Sequence, residues 1–344
     1  MSSIISQPFG LEDGLDFNYQ YRRSIDNGQH FGKSVGSFGG TTGSTGPSVR
    51  VKLPDSTTHF GLVTCHHALS SSRDAIHASP GRALDRPVVS PSDPDHKRWV
   101  NHLKTSLDHV KDQQEPIGIL AMRYKLEAGE ALEPNAQQCW DYYHQRTRDI
   151  EAMKTQAETF ERHLGHILCT SGLGTAQYVN GHHYTQDWGL VILVDIPLPW
   201  DDNSDGKPHW KIGRTTGQTV GGLCTTAMQS TNYDCDEGKV TVKGAACMVV
   251  SAGTRKSCRK AWSDSGNSGA GVFGPDHRIA GLAWGGDRAP DWVDTGQADK
   301  LEGLRQAVRS DRIHFFTPIE AVVAHIQARL EEDPGGKASV ELLP

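Results

Sequence analysis

Ser268 sits in Gly266-Asn267-Ser268-Gly269, which runs directly into the apolar stretch Ala270-Gly271-Val272-Phe273. A serine hydroxyl is a weak nucleophile, so it needs a base within hydrogen-bond reach and backbone N–H groups aimed at the oxyanion that forms on attack. The flanking glycines permit that geometry. Gly266 can turn its N–H outward with no side chain in the way, and Gly269 lets another backbone come close. The same residues, Ser263 to Gly269, would also make an ordinary Gly/Ser-rich hairpin loop.

The base would be a histidine, with a carboxylate to fix its tautomer and stabilise the imidazolium. His67 follows the apolar run Phe60-Gly61-Leu62-Val63-Thr64-Cys65 with only His66 between, and Asp187 immediately precedes Trp188-Gly189-Leu190-Val191. His66 is the rival base. Ser265, in Asp264-Ser265-Gly266, is the rival nucleophile. Cys65 beside His66 and His67 raises the idea of a zinc site, but the tight ligand spacings of zinc modules are missing. Gly213-Arg214-Thr215-Thr216-Gly217 lacks the spacing and the lysine of a phosphate loop and reads as a strand-to-turn element.

These residues need elements to hold them. Val49-Arg50-Val51-Lys52-Leu53 alternates as a half-buried strand does, and Phe60 to Cys65 reads as a buried strand that delivers the histidines. Gly36 to Pro47, rich in Gly, Ser and Thr, reads as hairpin connections between short strands. Strand patterns return at Gly165 to Gly172, Trp188 to Val194, Trp210 to Gly213, Lys239 to Lys243 and Ala245 to Val250, then on both sides of Ser268. Between them the spacing changes. Trp99, Leu103, Leu107 and Val110, then Trp140, Tyr143, Ile150, Met153, Ala157, Phe160 and Leu164, recur as on helix faces and predict a helical hairpin inserted over about residues 92–165. Its apolar stripe packs the helices on each other and on the body, or offers a surface to a protein partner. Thr317-Pro318-Ile319-Glu320, with a capping threonine, Pro at N1 and Glu at N3, predicts a C-terminal helix striped by Ile319, Val322, Val323, Ile326 and Leu330. Asp333-Pro334-Gly335-Gly336 ends it, leaving 331–344 as a flexible tail.

Composition narrows the classes. At 344 residues the chain can build two cores, or one two-lobed domain with an insertion. A net charge of −6 without a long basic stretch argues against a nucleic-acid partner. No basic-then-apolar leader and no run of 18 apolar residues occurs, which predicts a soluble protein, cytoplasmic or otherwise intracellular, with no membrane partner. Its seven cysteines are odd in number and scattered without a Cys-x-x-Cys pair, as reduced thiols would be.

In the order His, Asp, Ser, three local patterns resemble those of the chymotrypsin-like (trypsin-like) serine peptidases. Val63-Thr64-Cys65-His66-His67 is similar to that family's Val-Thr-Ala-Ala-His, Asp187-Trp188-Gly189-Leu190 to its Asp-hydrophobic-small-Leu, and Gly266-Asn267-Ser268-Gly269 to its Gly-Asp-Ser-Gly. The resemblance covers roughly residues 34 to 330 without the insertion. It implies an all-β core, a double six-stranded β-barrel with a helical insertion and a C-terminal helix. After an N-terminal segment at 1–33, the first barrel would take 34–200 and the second 206–330. It implies a serine endopeptidase acting on protein or peptide without cofactor or metal, with His67, Asp187 and Ser268 catalytic. The N–H groups of Gly266 and Ser268 would form the oxyanion hole, which selects Ser268 over Ser265. Substrate would bind near Trp262 and Ser263 and along Trp284-Gly285-Gly286. No acid stands at the Trp262 position, so a preference for Lys or Arg is not implied. Asn267 replaces the aspartate that pairs with a freshly cut N-terminus in secreted relatives, implying activity without zymogen cleavage. The competing expectation is a catalytically silent or autoinhibited interaction module on the same fold, acting through the helical insertion.

Overall fold

The computed structural model describes residues 32–38, 40–76, 86–114, 118–177, 181–194, 210–213, 217–251, 267–276, 278–286, 313–332 and 337–343. Residues 1–31, the polar stretch 201–206, Trp262, Ser263, Ser265 and Gly266 lie outside them.

Strands are numbered in chain order. β1 (Ser34–Ser37), β2 (Gly43–Ser44), β3 (Ser48–Lys52), β4 (Thr58–Thr64), β5 (Pro87–Val89), β6 (His163–Thr170), β9 (Gly189–Leu193) and β16 (Ser339–Leu342) form one sheet in the order β16-β3-β4-β9-β6-β5-β1-β2. The second sheet is built from β7 (Gly174–Gln177), β8 (His183–Gln186), β10 (Trp210–Gly213), β11 (Gly217–Cys235), β12 (Gly238–Ser251), β13 (Gly271–Phe273), β14 (Ile279–Gly286) and β15 (Ile313–Pro318). Its order is β11-β10-β13-β14-β15-β12-β8-β7, and β11 also pairs with β12, so the pairings from β10 to β15 close into a ring. The described residues are thus mostly β, in two curled and largely antiparallel sheets with four helices, which is compatible with a two-barrel β fold.

Successive side chains of a strand point to opposite faces, and here both faces are apolar. Leu62, Ile167 and Val191 point into a core with Val35, Leu69 and Val88 on one side of the first sheet. Their neighbours Val63, Leu168 and Leu190 point the other way, into a core shared with Leu282, Trp284 and Phe315 of the second sheet. In that sheet Ala283 and Phe316 turn inward onto Val249, Ala270 and Val272. Each large side chain so buried contributes about 1.5–3 kcal/mol. The shared core also takes Ile319, Val322, Ile326 and Leu330 of the C-terminal helix, the stripe read from the sequence.

Residues Pro94–Glu161 form a separate compact unit. It holds α1 (Asp93–Gln114), α2 (Ile119–Glu127) and α3 (Pro134–Thr159), three helices where a hairpin was expected. α3 stops at Thr159, so Leu164 belongs to β6 rather than to the helical stripe. Where the insertion leaves the first sheet, Arg162 bonds the Asp93 carboxylate at 2.6 Å and the Pro91 carbonyl at 3.3 Å.

Three other expectations are corrected. The C-terminal helix α4 (Ile319–Glu331) has Pro318 at its N-cap, not Thr317. Thr317 belongs to β15, and its hydroxyl donates to Thr185 O at 2.7 Å while accepting from Trp284 Nε1 at 3.0 Å, so it ties strands together and does not cap. Part of the supposed flexible tail is β16, paired with β3 through Val340 and Val51, because Ala338, Val340 and Leu342 pack on the shared core. The hairpin β7–β8 lies inside 34–200 yet joins the second sheet, through Tyr184 opposite Ala245. Among the described residues no helix is long and apolar enough to cross a membrane.

Candidate functional site

After β8 the chain crosses from the second sheet to β9 of the first, and Asp187 stands at the crossing. The next residue anchors it. Trp188 is fully buried, its N–H donates to Ser171 Oγ at 2.9 Å, its carbonyl accepts from Ser171 N at 2.8 Å, and its indole N–H is shared between Gln186 and His325. The Asp187 carboxylate is thereby held out of water, with a side-chain exposure of 0%.

β4 ends in a single 3-10 turn, His66–Ala68, which brings His67 onto that carboxylate. The ring Nδ1 of His67 lies 2.5 Å from Asp187 Oδ2, and its backbone N–H donates to Oδ1 at 3.1 Å. Nδ1 is therefore the protonated nitrogen and Nε2 is left as the acceptor. No hydrogen bond reaches Nε2 among the described residues. Burial alone would push the imidazole down, but the charge of Asp187 and the bond to it hold its pKa above the ordinary 6.5. Burial would likewise raise Asp187, yet His67 keeps it below the ordinary carboxylate value.

His66, the rival base, is spent on structure. It is fully buried, with Nδ1 at 2.9 Å from Thr170 Oγ1 and Nε2 at 2.7 Å from Ser72 O, and burial pushes its pKa down.

Ser268 stands in a turn before β13, half-buried, with Asn267 fully buried beside it. Gly269 follows with φ +91°, a conformation that favours glycine, and its N–H donates to Ala283 O at 2.7 Å. The Ser268 hydroxyl rests on the Trp284 carbonyl at 3.4 Å, a long contact, and does not bond His67.

The link between base and serine is the β1–β2 hairpin, which the sequence presents only as Gly-rich connection. Ser44 N–H donates to Ser268 O at 2.6 Å, and Thr41 Oγ1 donates to His67 O at 2.5 Å. Gly43 lies between them. A Cβ there would stand 2.5 Å from Ala68 Cβ and 2.8 Å from Ser268 O, so only glycine lets the two backbones approach. Thr41, Gly43 and Ser44 are the positioning residues that sequence reasoning missed, and glycine spacing was their only signal.

Of the expected substrate segment, Trp284 is 3% exposed and its indole stacks on Phe315 in the core, so the side chain is structural. Gly285 and Gly286 run on from it towards the surface, paired to β15 on one side. β13 stops pairing at Leu282, so among the described residues no strand covers their other side. Trp262, Ser263 and the oxyanion donor Gly266 lie outside the described residues.

Donor atoms of Cys65, His67 and Asp187 lie within 4.8 Å of one another, which revives the zinc reading. The chemistry argues otherwise. A zinc ligand must be a thiolate, whereas the fully buried Cys65 thiol is pushed well up by burial and then by Asp187, and donates to Ala283 O at 3.3 Å. His66, with both nitrogens engaged, adds no ligand.

No protein-family model and no curated protein sequence matches the chain.

Proposed function

We propose that the protein is a serine endopeptidase of chymotrypsin-like type, built on two β-barrels and carrying the triad His67, Asp187 and Ser268. The observation that carries the reading is the buried Asp187 carboxylate with both oxygens on His67, which leaves Nε2 as a free acceptor. Ser268 Oγ gives its proton to Nε2 as it attacks the peptide carbonyl. Asp187 stabilises the imidazolium, and the N–H groups of Ser268 and Gly266 hold the oxyanion. His67 then protonates the leaving amine and activates the water that hydrolyses the acyl-enzyme. An extended peptide would pair with the uncovered side of Trp284 to Gly286. The Ser268 hydroxyl must first leave the Trp284 carbonyl, and a contact of 3.4 Å opposes that rotation only weakly.

That same contact favours the second reading, a silent or autoinhibited interaction module. A fluorophosphonate probe separates the two. Labelling that is lost in Ser268→Ala and kept in Ser265→Ala supports the peptidase, while absence of labelling between pH 7 and 9 points to the module.

A further inference from the structure

The β11–β12 hairpin reaches from the second sheet to the segment that follows His67. At its tip Asp236 accepts from Ser71 Oγ at 2.6 Å and its N–H donates to Ser71 O at 3.0 Å. Glu237 accepts from Ser72 Oγ at 3.1 Å and from the Arg73 N–H at 3.3 Å. Three residues before Asp236, Tyr233 enters the site. It is 8% exposed and packs on Leu173 and Val242, and its ring lies 5.7 Å from the His67 ring, tilted by 52°. The Tyr233 hydroxyl is buried and faces the Asp187 carboxylate, and among the described residues it makes no hydrogen bond of full geometry in the resting state.

A buried hydroxyl left without a partner destabilises the fold, so it calls for a use. Asp187 supplies one. A carboxylate offers about four acceptor sites, of which His67 takes two here. The other groups around it are committed: the Cys65 thiol to Ala283 O, and His66 to Thr170 and Ser72. Among the described residues around it, Tyr233 is the one with an uncommitted proton.

We propose that Tyr233 is a positioning residue, delivered by the β11–β12 hairpin, whose ring backs His67 and whose hydroxyl donates to Asp187 as the imidazolium forms. This rests on the peptidase reading. Burial, then the charge of Asp187, holds the Tyr233 phenol well above its ordinary pKa, so it keeps the proton it must donate. A bond that forms only with the imidazolium favours the protonated ring, so its removal takes a stabilising partner from the imidazolium. The titratable groups facing the pair are Cys65, His66 and Tyr233, with Cys235 beside the phenol, and all but Tyr233 are unchanged in the test.

The test is Tyr233→Phe in the full chain, read by NMR titration of the His67 imidazole and by kinetics. The His67 pKa should fall by roughly half a unit, the acid limb of kcat/KM should move down with it, and kcat should fall roughly tenfold at constant KM. Ser71→Ala with Ser72→Ala, which loosens the hairpin tip and leaves Tyr233 intact, should lower kcat in the same direction. A Tyr233→Phe protein whose His67 titration is unmoved overturns the proposal, whatever happens to stability or rate, because packing alone would do that much. The NMR reading needs no turnover. Absence of fluorophosphonate labelling in the unaltered chain would therefore fail the peptidase reading separately, while the titration still decides whether Tyr233 acts on Asp187.

Discussion

His66 and His67 are adjacent in the chain and opposite in every physical respect. The His66 pocket is closed and made of neutral partners, so the ring is held neutral and both nitrogens are occupied. The His67 pocket is open on one side, with 27% of the side chain exposed, and carries a buried carboxylate on the other. One histidine staples the end of β6 to the loop after the 3-10 turn, and the other keeps a nitrogen open to receive a proton. The identity of a residue does not decide its role. A buried counter-charge and one free nitrogen do.

The contrast is broken most severely at Asp187. Asp187→Asn removes the charge from the His67 pocket and leaves the His66 bonds intact, so kcat on a peptide substrate should fall about 10⁴-fold with little change in the urea midpoint. His66→Ala should do the reverse. It strips a partner from buried Thr170 Oγ1 and from Ser72 O and opens a cavity, so stability in urea should drop by about 2–3 kcal/mol while kcat changes less than about tenfold. A collapse of kcat with stability retained would reverse the assignment of the base. The finest expected effect is in pH. His67 must be neutral to act, so the acid limb of kcat/KM should lie above pH 6.5. The two rings also bias stability oppositely. The pairing of protonated His67 stabilises the fold below pH 6.5 and is lost as pH rises through its elevated pKa. His66, with its pKa lowered, favours the fold above pH 6.5 and ceases to do so as pH falls through its own value. His66→Gln should therefore flatten the acid side of the stability profile.

Local pattern carried much of this into view. β4 and β9 follow directly from apolar runs, and α4 from its stripe, because period and burial coincide there. His67 and Asp187 were readable since each adjoins such a run. β11 was not readable. Its Thr- and Gly-rich stretch Thr219-Val220-Gly221-Gly222-Leu223-Cys224-Thr225-Thr226 has no period, and what makes it a strand is pairing with β12 along its length. Tyr233 stayed hidden for the same reason, since its approach to His67 depends on the hairpin docking on Ser71 and Ser72. β16 was misread because a short polar-apolar segment becomes a strand only when the edge of β3 is present. Non-local pairing leaves no mark in a window of neighbours.

That edge pairing also bears on the order of synthesis. Arg50 and Glu341 meet at 3.0 Å across 291 residues, joining β16 to β3, whose other edge pairs with β4, the strand leading to His67. The first sheet cannot be completed as it leaves the ribosome. Its early strands must wait, with the outer edge of β3 unpaired, until the second sheet has been made and residues 339–342 arrive. Contacts of such separation fold slowly, and an open edge invites pairing with another chain in the interval. For this protein the hazard of misassembly falls on the nascent chain, and a translational pause before residue 339 would lengthen it.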